Sequence, residues 1–397
     1  MLANMFGVVG KRLIGLGVMM LGLRSAMGVS TLTSAPALES RMRGAMLGAL
    51  VADALTLGTH YEYDAVKIKQ FYGSIDTYYA PGQKTGGQTH GVGWGARNFH
   101  NGNGNGPPKK AGEQTDYGDY NLLMLKHLAN TADNPRRIQL NELLPFWSEE
   151  LKTWRSWICT QTRQTLQQVN SGFVKAGKPI GGMSNAMAIR HAAAYSYYDN
   201  EEDVVHAART TMFTHRETSA LEGGEFFARV TFRIIHAGLT PRQAIVQVAE
   251  ESSPFIRSKV QQALDKVAEA TDPDKPLSRE EFVDDLALTS MARLWDVGKS
   301  EPIKVGKASP TEGTLPGAIY FILKYDGDFG AAAKANAEVG GDNASRSIAI
   351  GMVMGAAQGL EGIPSHLGKG KLVEWQTTQD LLSKMPLLKQ GAPKADL

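Results

Sequence analysis

The chain has 397 residues and a formal net charge of +2, with 42 Lys and Arg against 40 Asp and Glu. Lys11, Arg12 and Arg24 stand against Glu39 in residues 1–40, so the rest carries 39 charges of each sign and lacks the basic excess that nucleic-acid binding requires. A hydrophobic share of 42% and a charged share of 21% describe a chain that folds around a core. The single cysteine, Cys159, excludes an internal disulfide framework, and with no HExxH or Cys/His cluster a zinc site is not expected.

Residues 1–38 contain no acid, and Lys11-Arg12 precede an 11-residue apolar run from Leu13 to Leu23. That run is too short for a bilayer span, which needs about 20 residues. Residues 1–40 fit a removable targeting segment, either a mitochondrial or plastid presequence or a secretory signal; an ordinary first helix is the alternative. The lone cysteine favours an organelle. The apolar residues elsewhere predict no membrane span.

Ala45–Leu57 repeats small and apolar residues at helical spacing. Asp53 lies inside that pattern and needs a partner, either a neighbouring helix to cap or a ligand. Ser74–Ala80 is a weak strand candidate. Residues 81–114 hold ten glycines, the run Asn101-Gly-Asn-Gly-Asn-Gly and Pro107-Pro108, and resist regular structure. Such a stretch is either a lid or site loop or a tolerated insertion. A helix follows from near Thr115 to Leu128. Further helical patterns cover 136–168, 185–196, 202–213, 217–237, 241–267, 279–297, 316–324, 328–338 and 345–360, with a second weak strand at Ile303–Lys307. These predict an all-α, single compact multi-helix domain over 41–389 and a frayed tail at 390–397.

Polar residues gather at four helix starts. They are Asp53 with Glu62; Thr115-Asp116-Tyr117 with Asp119; Thr214-His215; and Gly340-Gly341-Asp342-Asn343-Ala344-Ser345. Thr115 or Asp116 would make a normal N-cap. Gly351, Gly355 and Gly359 fall on one helical stripe, which lets another helix approach closely.

The order and spacing of these segments resemble the ADP-ribosylglycohydrolase family, of the dinitrogenase-reductase-activating glycohydrolase type. The family pattern G-x-x-x-G-D-A-x-G reads here as Gly48-Ala-Leu-Val-Ala-Asp53-Ala-Leu-Thr, with Glu62 after it. T-D-D-T reads as Thr115-Asp116-Tyr117-Gly118, and G-N-G-x-A-M-R as Gly182-Met-Ser-Asn185-Ala186-Met187-Ala188. Thr214-His215 and the Gly340–Ser345 run, which matches G-G-D-T-D-T, complete it, with Ile363-Pro364 downstream. The match covers about 41–366.

The resemblance implies an all-α fold, two magnesium ions in a cleft, and cleavage of the bond between ADP-ribose and a protein side chain or small group. It carries Glu62, Thr115, Asp116, Asp342 and Ser345 over as metal ligands, and Glu62 and Asp116 as catalytic acids. Gly182, Ser184, Asn185 and His215 are carried over as ligand-binding. An ordinary glycine turn and a packing histidine would use the same letters. If the 182–185 turn opens a helix, its N–H groups could hold a pyrophosphate, and Trp94 or Phe99 could stack on adenine. Tyr117 and Ala344 replace two acids of the pattern. The retained acids carry about −3, which balances one magnesium ion and not two. Asn343 or Asp119 could supply a missing oxygen. Two functions follow: a divergent magnesium-dependent hydrolase acting on ADP-ribose or an ADP-ribosylated substrate, or a non-catalytic ligand-binding or structural (crystallin-like) member.

Overall fold

The computed structural model describes residues 36–86, 96–178, 180–292, 294–295 and 303–389. Most of the expected targeting segment, Trp94 and the tail beyond Lys389 lie outside the described residues. The first helix, Leu38–Thr56, begins ahead of the expected domain start at Arg41. Ser40 fastens it by accepting from the Leu360 N–H at 2.9 Å and donating to Glu361.

Fifteen α-helices form among the described residues, as the all-α reading predicts. Leu294–Trp295 and Ile303–Lys304 pair antiparallel, so the strand expected at Ile303–Lys307 is confined to its first two residues. Ser74–Ala80 is irregular. Its groups are paired elsewhere: the Ile75 N–H donates to Glu338 at 3.0 Å and the Tyr78 hydroxyl to the Leu367 carbonyl at 2.6 Å.

The expected helices at 136–168 and 241–267 are each broken. The first divides into Leu140–Glu150 and Thr160–Asn170. The second breaks at Ser252-Ser253, where the Ser253 hydroxyl caps a new helix and Pro254 takes its first position. The pattern at 279–297 shrinks to Val283–Ser290. The helix expected at 185–196 is absent; only Ala194–Ser196 forms a 3₁₀ turn. Residues 186–198 are buried throughout, so their apolar letters carry no period that separates helix from extended chain. Two groups of this irregular backbone are satisfied by Asn121, whose amide donates to the Ile189 carbonyl at 2.9 Å and accepts from the Ala192 N–H at 3.2 Å.

The centre of the fold is the first helix packed antiparallel on Asn343–Gln358. Gly44 and Gly48 face Gly355 and Gly351 so closely that a Cβ on Gly351 would lie 2.6 Å from the Gly48 carbonyl carbon. This approach brings the C-terminal end of the first helix beside the N-terminal end of the other, and the site is built there.

Candidate functional site

Two loops clamp together first. The Gly341 N–H donates to the Glu62 carbonyl at 2.6 Å, and the Tyr61 N–H donates back to the Gly341 carbonyl at 2.7 Å. Gly340 and Gly341 take φ of 73° and 70°, and Tyr61 takes 64°, a left-handed conformation uncommon outside glycine. The clamp presents His60 to Asp342.

Asp342 caps the Asn343–Gln358 helix and is fully buried. Its Oδ1 lies 3.0 Å from His60 Nε2 and accepts from the Ser345 N–H at 3.3 Å, while its Oδ2 accepts from the Tyr117 hydroxyl at 2.9 Å. Burial pushes this carboxyl up, but hydrogen bonds from His60, Ser309 and Tyr117 and the His60 charge outweigh it and hold it below the ordinary range. Beyond it, His60 Nδ1 lies 2.8 Å from His100 Nε2. Burial, then the His60 and Lys109 charges, push His100 far down, so it is neutral.

Asp116 opens the Asp116–Thr131 helix and is only 8% exposed, yet its Oδ1 has no hydrogen-bond partner. Burial, followed by the Asp342 and Asp53 charges, pushes its carboxyl far up. His60, His100 and Asp116 each offer a ligand atom within 4.8 Å of the others, a cluster able to hold a metal ion.

The expected site residues are thus divided. Asp116 and Asp342 reach one centre. Glu62 is fully buried but accepts from the Ala96 N–H at 3.2 Å and is not in the cluster. Thr115 donates its hydroxyl to Asp53 at 2.6 Å and accepts from the Tyr117 N–H at 3.1 Å. Ser345 donates to the Asp342 carbonyl at 2.9 Å. Asp53 also accepts from the Thr115 N–H at 2.8 Å, so it caps a neighbouring helix rather than reaching a ligand. Asp119 is taken by Lys109 and Ser156, and the Asn343 amide donates to Thr59 at 2.9 Å while its buried Oδ1 has no partner. Magnesium requires about six oxygens in a rigid octahedron. Of the oxygens the resemblance assigns, Asp342, Thr115 and Ser345 have theirs committed to structural hydrogen bonds, and Glu62 stands apart. The donor set therefore does not fit magnesium.

Sequence reasoning missed His60 and His100. His60 stands two residues before Glu62 in an apolar stretch. His100 comes from the glycine-rich segment. Its Asn103 and Asn105 amides donate to the Trp154 carbonyl at 3.3 and 2.8 Å and hold it down. Neither histidine has a partner at motif spacing.

Asp116 also lines a cleft of about 250 Å³. Tyr61, Tyr117, Tyr120 and Trp157 line it from the aromatic side. Phe99 packs behind Tyr61 and Trp157, with centroids 4.3 and 4.6 Å away. Ser184, Asn185 and His215 line the cleft; Gly182 does not, and its carbonyl accepts from the Arg216 N–H at 2.8 Å. Because 185–193 is not helical, no helix begins at that turn. Besides the Asp116 helix, Thr160–Asn170 starts on the cleft, capped by Cys159, with Thr160, Gln161 and Thr162 in the lining. Arg190 is 2% exposed, stacks 4.0 Å from the Tyr120 ring centroid, and leaves its Nε without a partner. His215 Nδ1 is 2.7 Å from the Thr214 hydroxyl. Burial, then the Arg190 charge, push His215 down to about 3, so its neutral ring can form hydrogen bonds without adding charge. No helix among the described residues is long and apolar enough to cross a membrane.

Comparison with known proteins agrees with this architecture. A solved structure titled "ADP-ribosylglycohydrolase-related protein complex" is 18% identical, with a TM-score of 0.52 over 88% of this chain and 99% of that chain. No curated protein matches. The family model for ADP-ribosylglycohydrolase matches residues 34–395, from before the first helix to beyond the last. A match of that extent, over a fold whose Asp116 and Asp342 helix starts meet at one centre, makes this chain a member of the ADP-ribosylglycohydrolase family.

Proposed function

We propose that this protein hydrolyses a glycosidic bond to an ADP-ribosyl group held in the cleft beside Asp116. The observation that carries this reading is Asp116 itself. It is the one carboxylate among the described lining residues, and a buried oxygen of it has no partner. An orphaned buried acceptor is costly, by about 1–3 kcal/mol, and a bound substrate or water would relieve that cost.

The surroundings suit a nucleoside diphosphate sugar. Arg190 supplies a fixed positive charge, and the start of the Thr160–Asn170 helix adds N–H groups for a pyrophosphate. Tyr61 and Trp157 offer ring faces for a base. In the reaction, a water oxygen bonds to the anomeric carbon as the bond to the leaving group breaks. The leaving group takes the electron pair and a proton, and Asp116 exchanges that proton between water and leaving group.

The test is calorimetric titration of ADP-ribose, with release of ADP-ribose from ADP-ribosylated peptides measured alongside. Arg190→Met is expected to weaken binding by about tenfold or more, near 1.4 kcal/mol. Asp116→Asn is expected to remove turnover and retain binding. Absence of ADP-ribose binding at millimolar concentration refutes the reading. A second reading, ligand binding without catalysis, is favoured by one observation: Thr115, Ser345 and both oxygens of Asp342 are committed to structural hydrogen bonds. Tight binding with no release from any conjugate would decide for it.

A further inference from the structure

We infer that His60, His100 and Asp116 form a site for one divalent transition-metal ion of the zinc, iron or cobalt class, in place of magnesium. Two imidazoles and one carboxylate suit those borderline ions, whereas magnesium selects oxygen.

The proton arrangement points the same way. The Asp342 carboxylate can only accept from His60 Nε2, which leaves His60 Nδ1 facing His100 Nε2, 2.8 Å away. Two nitrogens bound to one ion at about 2.05 Å would lie about 2.9 Å apart at a right angle and about 3.3 Å apart at a tetrahedral angle, so the pair needs to open only slightly to admit an ion. With no ion, His100 Nδ1 is buried without a hydrogen-bond partner. Asp116 Oδ1, on the third member of the cluster, is likewise orphaned. A cation held by Asp116 Oδ1, His60 Nδ1 and His100 Nε2 would give the Asp116 oxygen its missing partner. The Asp342–His60 contact is the carboxylate–histidine pairing that orients metal-binding imidazoles. Charge also balances, since Asp116 and Asp342 together offset a divalent ion. Lys109, whose charge reaches His100, is paired with Asp119.

The site does not rest on the hydrolase reading, because the ion is held whatever the cleft binds. The full chain is stripped with chelator and titrated calorimetrically, without nucleotide, against zinc, cobalt(II) and magnesium. One equivalent of zinc or cobalt is expected to bind at least about 100-fold tighter than magnesium, and the cobalt complex to show visible ligand-field bands. His100→Ala should weaken zinc binding by about tenfold or more, with the same expected of His60→Gln; the exposed His366→Ala should not. Far-ultraviolet circular dichroism confirms that each variant is folded; if one histidine variant is not, Asp116→Asn takes its place. Equal affinity for magnesium and zinc, no binding at millimolar ion, or full zinc affinity in the folded variants overturns the inference. The hydrolase reading fails separately, on ADP-ribose binding.

Discussion

Replacing Gly351 by alanine sets two physical effects of opposite sign against each other. Alanine is the better helix former by about 0.8–1.0 kcal/mol, so propensity alone predicts a more stable protein. Packing predicts the reverse. The added Cβ would lie 2.6 Å from the Gly48 carbonyl carbon and 2.8 Å from the Ala52 Cβ. Carbon atoms rest about 3.5–4.0 Å apart, so the first helix and Asn343–Gln358 must separate by about 1 Å. Both close contacts are with backbone or with a side chain that has no rotamer, so nothing can turn aside. Overpacking costs up to about 3 kcal/mol, and we expect a net loss near that upper value. With unfolding entropy of about 2.1 cal/mol/K per residue over roughly 350 residues, 3 kcal/mol lowers Tm by about 4 °C, whereas propensity alone would raise it by about 1 °C. Scanning calorimetry separates the two. Gly224→Ala is the control: its Cβ would meet only the Met212 Sδ at 2.5 Å, and that side chain can move, so the loss should be smaller. An unchanged or raised Tm in Gly351→Ala would refute the claim that this close approach sets the position of Asp342.

Three further outcomes follow from the same structure. Tyr117→Phe removes the hydroxyl that donates to Asp342 at 2.9 Å and should cost about 1.5–3 kcal/mol in urea unfolding at pH 7; a change below about 0.5 kcal/mol would contradict the charge-assisted bond. Burial raises the Asp53 carboxyl from 3.8 to about 7 in the folded chain, against the Thr115 hydrogen bonds that lower it. The folded state therefore holds a proton that the unfolded state releases between those values. Asp53's contribution is fully present below about pH 4 and lost as pH rises through about 7, so the stability of wild type relative to Asp53→Asn should fall with pH across that window; a flat difference would be decisive against it. Removing residues 1–35 should leave Tm within about 2 °C, whereas removing 1–40 deletes Ser40 and its hydrogen bonds at Leu360 and Glu361 and should lower it further. Equal Tm for the two truncations would deny Ser40 that role.

What was legible in the sequence was local. Small residues at four-residue spacing announce a close helix contact because only glycine permits one, and Gly351 and Gly355 make it. An acid inside an apolar helix announces a buried acceptor, and Asp53 meets Thr115. What was not legible was direction. Thr115 and Ser345 keep hydroxyls that match the family pattern, yet both hydroxyl protons point into the scaffold. Periodicity failed at 185–196 because all of it but Asn185 is buried. His60 and His100 lie 40 residues apart and meet only through the fold, so no spacing rule could join them.

The substitution of a phenol for an acid at Tyr117 organises the rest of the site. An acid there would add an acceptor and a negative charge beside Asp342, and only a cation between the two would make that arrangement tolerable. A phenol is a donor, and it satisfies Asp342 directly. His60 supplies a second hydrogen bond to the same carboxylate. Arg346 adds a third source of balance: it is fully buried, donates to the Gly340 carbonyl at 2.6 Å and to Asn336 at 2.8 Å, and its charge reaches Asp342. Asp342 is thereby stable as an ion without metal, which frees it from ligation and leaves it to orient His60. The acid left with an unpartnered oxygen is Asp116, so a ligand or an ion has one carboxylate to meet. Restoring an acceptor at position 117 without removing the His60 contact would place two carboxylates and no new cation around that centre. Tyr117→Asp should consequently destabilise the ion-free fold more than Tyr117→Phe, and added zinc should recover part of the difference. Equal losses in the two variants, measured with and without zinc, would show that the polarity of position 117 does not govern the site.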